Sequence, residues 1–462
     1  MIRTPPAPPL QGPFTFGEPT VAGGTVSLPY RLGADLELVE EVELPFDLPD
    51  TEAVRVAVKV LHLVAGVSYY KLVAPTPLVV PALRPAERAL VLRLYDDGLR
   101  EFAYRNGIDV PLPVELVEPV AADGSSGLPA PEPVPLAGTG ALVPIGGGKD
   151  SALVAVLVPE GQLFAVNPVG AHDHLARALD RPLVSARRRL DPQLRRFNAE
   201  GAPNGHVPVT AITSAVSVLA AVAMGRQDVL MGIERSAEEP SLVTTDGTPV
   251  NHQFSKSYEA ELLLREAFAP TGVRYLSLLR PLTELAIGAG VARRGLAPEI
   301  VSCNRVFTVW NENTSSKEQR ACGECAKCLF TSLMIAPSST PAAIEAQYGR
   351  ALLDEPAHVE PTRALWSVEK PFDCVGERLE TAAAVALLAR TEGWKDQVVV
   401  AALAPEAEAM LAAAGVEPGS FLTIESVEGL PAEYRDAVAG LGPDLAAVPG
   451  LDPVAPGDPV AP

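Results

Sequence analysis

One junction restricts the fold of this chain more than any other. Ala141 to Ile145 is a short apolar run, the next six residues are Gly146-Gly147-Gly148-Lys149-Asp150-Ser151, and an apolar helix is predicted from Ser151 to Val158, where Pro159 stops it. A strand handing over to a helix through three glycines lets backbone N–H groups approach an anion, and the helix N-terminus favours negative charge there. The pattern is not the Walker loop, because Lys149 precedes an Asp rather than Ser or Thr. Strands at Leu163–Val166 and Val229–Ile233 follow, with a long apolar helix near Val209–Met224 between them. That alternation predicts an α/β fold with a parallel sheet, assigned here to a nucleotide-binding catalytic domain at 136–345.

The flanking regions read differently. Residues 1–135 predict an α+β domain, with short strands at Phe14–Phe16, Val26–Tyr30 and Leu36–Val42 and helices starting near Asp50 and Pro85. Val54, Val56, Val58 and Val60 also alternate as a half-buried strand would, and only the length of the run favours helix. Residues 121–140 have linker composition, 346–442 predict an Ala-rich helical region, and 443–462 predict a disordered tail.

Charge narrows the function. Thirty-seven Lys and Arg against 57 Asp and Glu give a formal charge of −20, which disfavours nucleic acid as a partner. No uninterrupted apolar stretch approaches about 18 residues, so no membrane span is expected and a cytoplasmic location is. The seven arginines from Arg177 to Arg196 read either as a diphosphate contact or as a solvated helix face.

Four further groups of residues carry candidate chemistry. Cys303 with Cys322-x-x-Cys325-x-x-Cys328 supplies four thiols, suited to a structural Zn²⁺ with no open coordination position, or else to an iron–sulfur cluster. The fifth cysteine, Cys374, stands apart. Glu234, Arg235, Ser236 and Glu238 follow the strand at 229–233 and are expected at the carboxyl edge of the sheet. Asn251 to Ser257 brings His252 and Lys256 together ahead of a helix near Tyr258, and Asn204-Gly205-His206 precedes the apolar helix as a ligand-facing turn.

The glycine loop resembles the SGGxDS loop of the PP-loop ATP pyrophosphatases, with Gly146 standing where that loop usually has Ser. The resemblance implies ATP binding by Gly146, Gly147, Gly148, Lys149, Asp150, Ser151, Glu234, Arg235 and Ser236, with Mg²⁺ on the pyrophosphate. A PP-loop followed by a cysteine knuckle is similar to 7-cyano-7-deazaguanine synthase, which would act on a nucleobase or tRNA; a non-catalytic ATP-binding module is a further alternative. Longer strings are closer to another family. HLVAGVSYYK (62–71), EFAYRN (101–106), NGHVPVTAI (204–212), VNHQFSKS (250–257) and CGECAKCLFTSLMIAP (322–337) resemble the UDP-N-acetyl-α-D-muramoyl-L-alanyl-L-glutamate epimerases over roughly residues 55–340. That resemblance implies an ATP- and Mg²⁺-dependent isomerase of peptidoglycan precursor synthesis. Its substrate would be the UDP-N-acetylmuramoyl dipeptide, activated through an acyl-adenylate with release of AMP and diphosphate. His252, Lys256, His206 and Lys149 are then the candidate catalytic residues.

Overall fold

The computed structural model describes residues 12–451 apart from 35, 121–126, 133, 307–320 and 368. It divides into two compact units. One comprises Met1–Gly146, Val154–Ile233 and Ala237–Ser277; the other comprises Gly147–Leu153, Glu234–Ser236 and Leu278–Pro462.

The first unit is built on a mixed sheet. Its strands are β1 (Phe14–Phe16), β2 (Thr20–Ala22), β3 (Thr25–Leu32), β4 (Leu36–Glu43), β5 (Leu78–Val79), β6 (Leu116–Val117), β7 (Ala141–Pro144), β8 (Gln162–Val166), β9 (Leu183–Arg189) and β10 (Asp228–Met231). A hairpin follows, β11 (Leu242–Val243) with β12 (Pro249–Val250), and β13 (Arg274–Ser277) completes the sheet. The order is β13-β10-β7-β8-β9-β4-β3-β1-β5-β6, with β2 on β3. From β13 to β9 every pairing is parallel, and from β9 through β4 and β3 to β1 every pairing is antiparallel.

Burial follows that division. Val26, Leu28, Tyr30 and Leu32 of β3 are buried in strict alternation with more exposed neighbours, as one packed face requires, whereas all four residues of β7 are buried. In the parallel part β7 and β10 are neighbours whose chains continue outward in opposite directions, to β8 and to β13. Ligands of open α/β sheets bind beyond the carboxyl ends of strands at such a switch point.

Residues 54–60 are helical, within Glu52–Ala65. Thr51, not Asp50, is the N-cap, its hydroxyl accepting from the Val54 N–H at 3.3 Å. Val54, Val56, Ala57, Val58, Val60 and Leu61 are all buried, while Glu52, Arg55 and Lys59 keep a narrow polar stripe at helical spacing; the buried face is wide enough to take in every even-numbered valine, which is why the run also alternates like a strand. With Val67–Tyr70 it forms a 19-residue run long and apolar enough to cross a membrane, yet most of that run is buried inside the protein. It packs on the Val209–Ala223 helix.

The arginine run is divided: Arg187, Arg188 and Arg189 lie on β9, which pairs with β4, whereas Arg177, Arg195 and Arg196 are exposed on helices as the solvated-face reading expects. Glu41 stands opposite Arg189 and Glu43 opposite Arg187, and Arg188 makes a bidentate pair with buried Glu40 at 2.6 and 2.9 Å. The acidic residues of β4 are therefore the partners of this basic strand. In the linker-like stretch, 121–126 and 133 lie outside the described residues. Leu128, Ala137 and Thr139 donate to the carbonyls of Leu83, Gly272 and Gly225.

The second unit is helical. Glu284–Arg293 lies against Ala326–Ile335, and Gly288 permits it: a Cβ there would stand 2.1 Å from the Met334 carbonyl oxygen. Arg378–Ala389 pairs with Val398–Ala414. The expected tail begins with structure, since Gly442–Ala446 is a helix packed on Glu284–Arg293. Leu445 and Val448 are buried and Asp444 pairs with Arg294, so three anchors hold a segment whose Pro and Gly content resembles a linker. Residues 452–462 lie outside the described residues.

Candidate functional site

Two polar constellations stand out, one in each unit. The first unit gathers His206, His252, Glu101 and Lys71 from four separate stretches of chain. His252 sits just after β12, in a segment folded onto the start of the Tyr258–Phe268 helix. Asn251 accepts from the Gln253 N–H at 2.8 Å and donates to the Ala237 carbonyl at 3.0 Å, and Ser257 caps the helix by accepting from Ala260 at 3.1 Å. Glu238, expected beside Glu234, instead accepts from the Tyr258 N–H at 2.6 Å.

His252 Nδ1 is hydrogen-bonded to Glu101 on the Arg100–Asn106 helix, and its ring faces that of His206 at 4.1 Å between centroids. Asn106 on the same helix donates to the Asn204 carbonyl at 3.0 Å, tying down the turn that carries His206. Lys71 Nζ donates to Asn204 Oδ1 at 2.5 Å. Burial, then the charges of His252, Lys256 and Lys71, hold His206 well below the usual imidazole range, so its ring is neutral at pH 7. Burial, with a contribution from Arg188, lowers Lys71 to about 8. Lys256 closes a 3-10 turn at Phe254–Lys256. His206, His252 and Lys256 are the residues of this cluster that the sequence pattern identifies; Lys71 and Glu101 carry no signal of their own in the sequence.

The second constellation contains Lys149, Asp150 and Glu234, together with Glu284, which the sequence reading missed. Gly147 adopts φ +77°, a left-handed conformation that favours glycine, and a Cβ on Gly148 would stand 2.9 Å from the Ser302 hydroxyl. A Cβ on Gly146 would meet nothing within 4 Å, so crowding does not demand glycine where related loops carry Ser. Ser151 donates to the Gly148 carbonyl at 3.3 Å.

Lys149 is fully buried and pairs with both Asp150 and Glu284, while Lys327 lies 3.7 Å from Glu284. Desolvation lowers the Lys149 ammonium despite those partners. Asp150, Glu234 and Glu284 each bring one carboxylate oxygen within 4.8 Å of the others. Glu234 has no exposed surface and neither of its carboxylate oxygens has a hydrogen-bond partner among the described residues. Nearby, Glu380 accepts from the Leu285 N–H at 2.7 Å and burial pushes it up to about 7. Arg235 turns to Glu425, and Ser236 is buried beside Glu380.

The same unit holds the cysteines. The sulfurs of Cys303, Cys322, Cys325 and Cys328 lie within 4.8 Å of one another, with Cys322–Cys328 at 3.8 Å and Cys325–Cys328 at 3.5 Å. None is in a disulfide. Hydrogen bonds from Cys325 and Cys328 pull the Cys303 thiol well below the usual range, and the shared protons push Cys328 up.

Comparison with known proteins agrees with this layout. Residues 13–278 match the MurL N-terminal domain and residues 299–417 the MurL C-terminal domain, so the likeness runs well past residue 340. The chain is 38% identical to the UDP-N-acetyl-alpha-D-muramoyl-L-alanyl-L-glutamate epimerase of Salinispora tropica, over 88% of this chain and 90% of that protein. It is 39% identical to the epimerase of the same name from a Micromonospora species, over 84% and 90%. The Xanthomonas oryzae pv. oryzae epimerase is 35% identical, over 88% and 92%. No solved structure matches the chain. Both MurL domains and this near-complete coverage place the protein in the UDP-N-acetyl-alpha-D-muramoyl-L-alanyl-L-glutamate epimerase family, and it is accordingly an isomerase.

Proposed function

We propose that this protein inverts the α-carbon of the terminal L-Glu of UDP-N-acetylmuramoyl-L-alanyl-L-glutamate, consuming ATP and releasing AMP and diphosphate. The observation that carries the reading is the facing pair His206 and His252, one ring kept neutral and the other oriented by Glu101. An α-proton beside an ionised carboxylate is very weakly acidic, because removing it adds a second negative charge to the same small fragment. Attack of that carboxylate on the α-phosphorus of ATP expels diphosphate and leaves an acyl-adenylate, whose carbonyl accepts the electron pair. One of His206, His252 and Lys256 then removes the proton, another returns one to the opposite face, and water cleaves the mixed anhydride to D-Glu and AMP.

The glycine loop, a PP-loop in this reading, supplies backbone N–H groups at the start of the Lys149–Leu157 helix for the ATP phosphates. Asp150, Glu234 and Glu284 fit Mg²⁺, since they are hard oxygen donors and both oxygens of buried Glu234 lack a hydrogen-bond partner among the described residues. Bound there, Mg²⁺ would neutralise phosphate charge. Cys303, Cys322, Cys325 and Cys328 fit a structural Zn²⁺: a tetrahedron with bonds of about 2.3 Å has edges of about 3.8 Å, beside the observed 3.5 and 3.8 Å.

Incubation with the muramoyl dipeptide, ATP and Mg²⁺ in D₂O tests the reading. D-Glu deuterated at its α-carbon should appear in step with AMP, and neither should form without ATP. AMP formation with glutamate left L and undeuterated overturns it.

A further inference from the structure

The first unit contains a buried positive charge that its own residues do not neutralise. Lys71 is only 6% exposed, and among the described residues its one hydrogen-bond acceptor is the amide oxygen of Asn204. No described carboxylate pairs with it. An ammonium has three donors and buried charges are ordinarily paired, so two donors and the charge itself call for an anion from outside the chain. The surroundings accentuate this. Glu101, the acid of the cluster, is engaged by His252 and by Arg105 at 3.4 Å, while Arg188 lies near enough to disfavour a protonated Lys71 and is matched by Glu40. In a chain of formal charge −20 the surroundings of Lys71 are locally cationic. Asn204 is exposed, so the ammonium lies just beneath an accessible turn.

We propose that Lys71, held under the Asn204–His206 turn, receives the side-chain carboxylate of the substrate's terminal glutamate and thereby sets specificity for glutamate over a neutral residue. This rests on the epimerase reading above. Activation consumes the α-carboxylate, whose charge disappears in the mixed anhydride; the side-chain carboxylate stays anionic throughout turnover and requires a permanent counter-charge. Lys71 acts on the same turn that presents His206, so grasping the far end of the side chain would orient the α-carbon beside the imidazole pair.

The test compares muramoyl dipeptides ending in L-Glu and in L-Gln, with wild type, Lys71→Met and Lys71→Arg, each checked for a wild-type melting transition. Wild type should favour Glu strongly. Lys71→Met should raise KM for the Glu substrate about 10- to 100-fold, the weight of a charged hydrogen bond, and leave the Gln substrate nearly unchanged; Lys71→Arg should keep much of the preference. A folded Lys71→Met that retains the preference overturns the proposal. So does one weakened equally toward both substrates, because Lys71 would then hold another anion such as the diphosphate. Wild-type protein that epimerises neither substrate defeats the functional reading itself, and this proposal with it.

Discussion

His252 and Glu101 stand 151 positions apart in the chain and are joined through Nδ1 and a carboxylate oxygen. A carboxylate on one imidazole nitrogen fixes the tautomer and ring direction and stabilises the imidazolium that forms when the other nitrogen takes a proton.

Glu101→Gln keeps the shape of that partner and removes its charge. Deuterium incorporation at the α-carbon should fall about 100-fold at neutral pH, while AMP release from ATP persists. Equal loss of both activities, measured by mass spectrometry and by nucleotide chromatography, would show that Glu101 does not act through proton transfer alone.

At the glycine loop the expected pattern is the reverse. Asp150→Asn and Glu234→Gln should each lower diphosphate release by more than about 100-fold and leave cooperative unfolding intact. Glu234→Gln should also weaken the response of the rate to Mg²⁺ concentration, read by titrating the metal at fixed ATP.

Metal content and stability should move together at the cysteines. Cys325→Ser should lose zinc and melt on the order of 5–10 °C lower, because binding energy in such a site is folding energy. Cys374→Ser should keep the metal, since Cys374 lies outside the cluster. Elemental analysis beside calorimetry decides both.

His62 predicts an acid-sensitive core. It is buried between Phe16 and Tyr30, its Nε2 lies 2.9 Å from the Pro29 carbonyl, and burial lowers its pKa to about 4. The folded state therefore binds fewer protons than the unfolded state between pH 6.5 and 4. Stability present above 6.5 is lost as pH falls through that window, by about 3 kcal/mol. His62→Phe should flatten this part of the pH profile in denaturant titrations.

Truncation should separate two parts of the C-terminus. Removing residues after 451 should leave melting unchanged, whereas removing them after 441 strips buried Leu445 and Val448 and should lower the transition by several degrees.

What was legible in the sequence was local. The cysteine knuckle, the strand–glycine–helix junction and the polar segment ahead of the helix near Tyr258 each lie within a dozen or so residues, so spacing alone exposes most of their parts. Glu101 and Lys71 offered no such signal: Glu101 precedes Arg105 like any surface i,i+4 pair, and Lys71 ends an apolar run as a snorkelling lysine would. Glu284 follows the cap Thr283 and reads as an ordinary acidic first turn. Within the arginine run only the strand segment Arg187–Arg189 escaped the helical reading, because the partners of Arg188 and Arg189, Glu40, Glu41 and Glu43, lie on a strand nearly 150 residues earlier.

The same β4–β9 seam has a consequence for synthesis. Glu41 and Arg189 can meet only after some 150 intervening residues have left the ribosome, so β4 must wait as an open edge while the chain lengthens. The acidic side chains along that edge, Glu37, Glu40, Glu41 and Glu43, repel like strands from other nascent chains and attract the arginines that arrive later. Charge on this strand thus guards the open edge and then selects the strand that covers it.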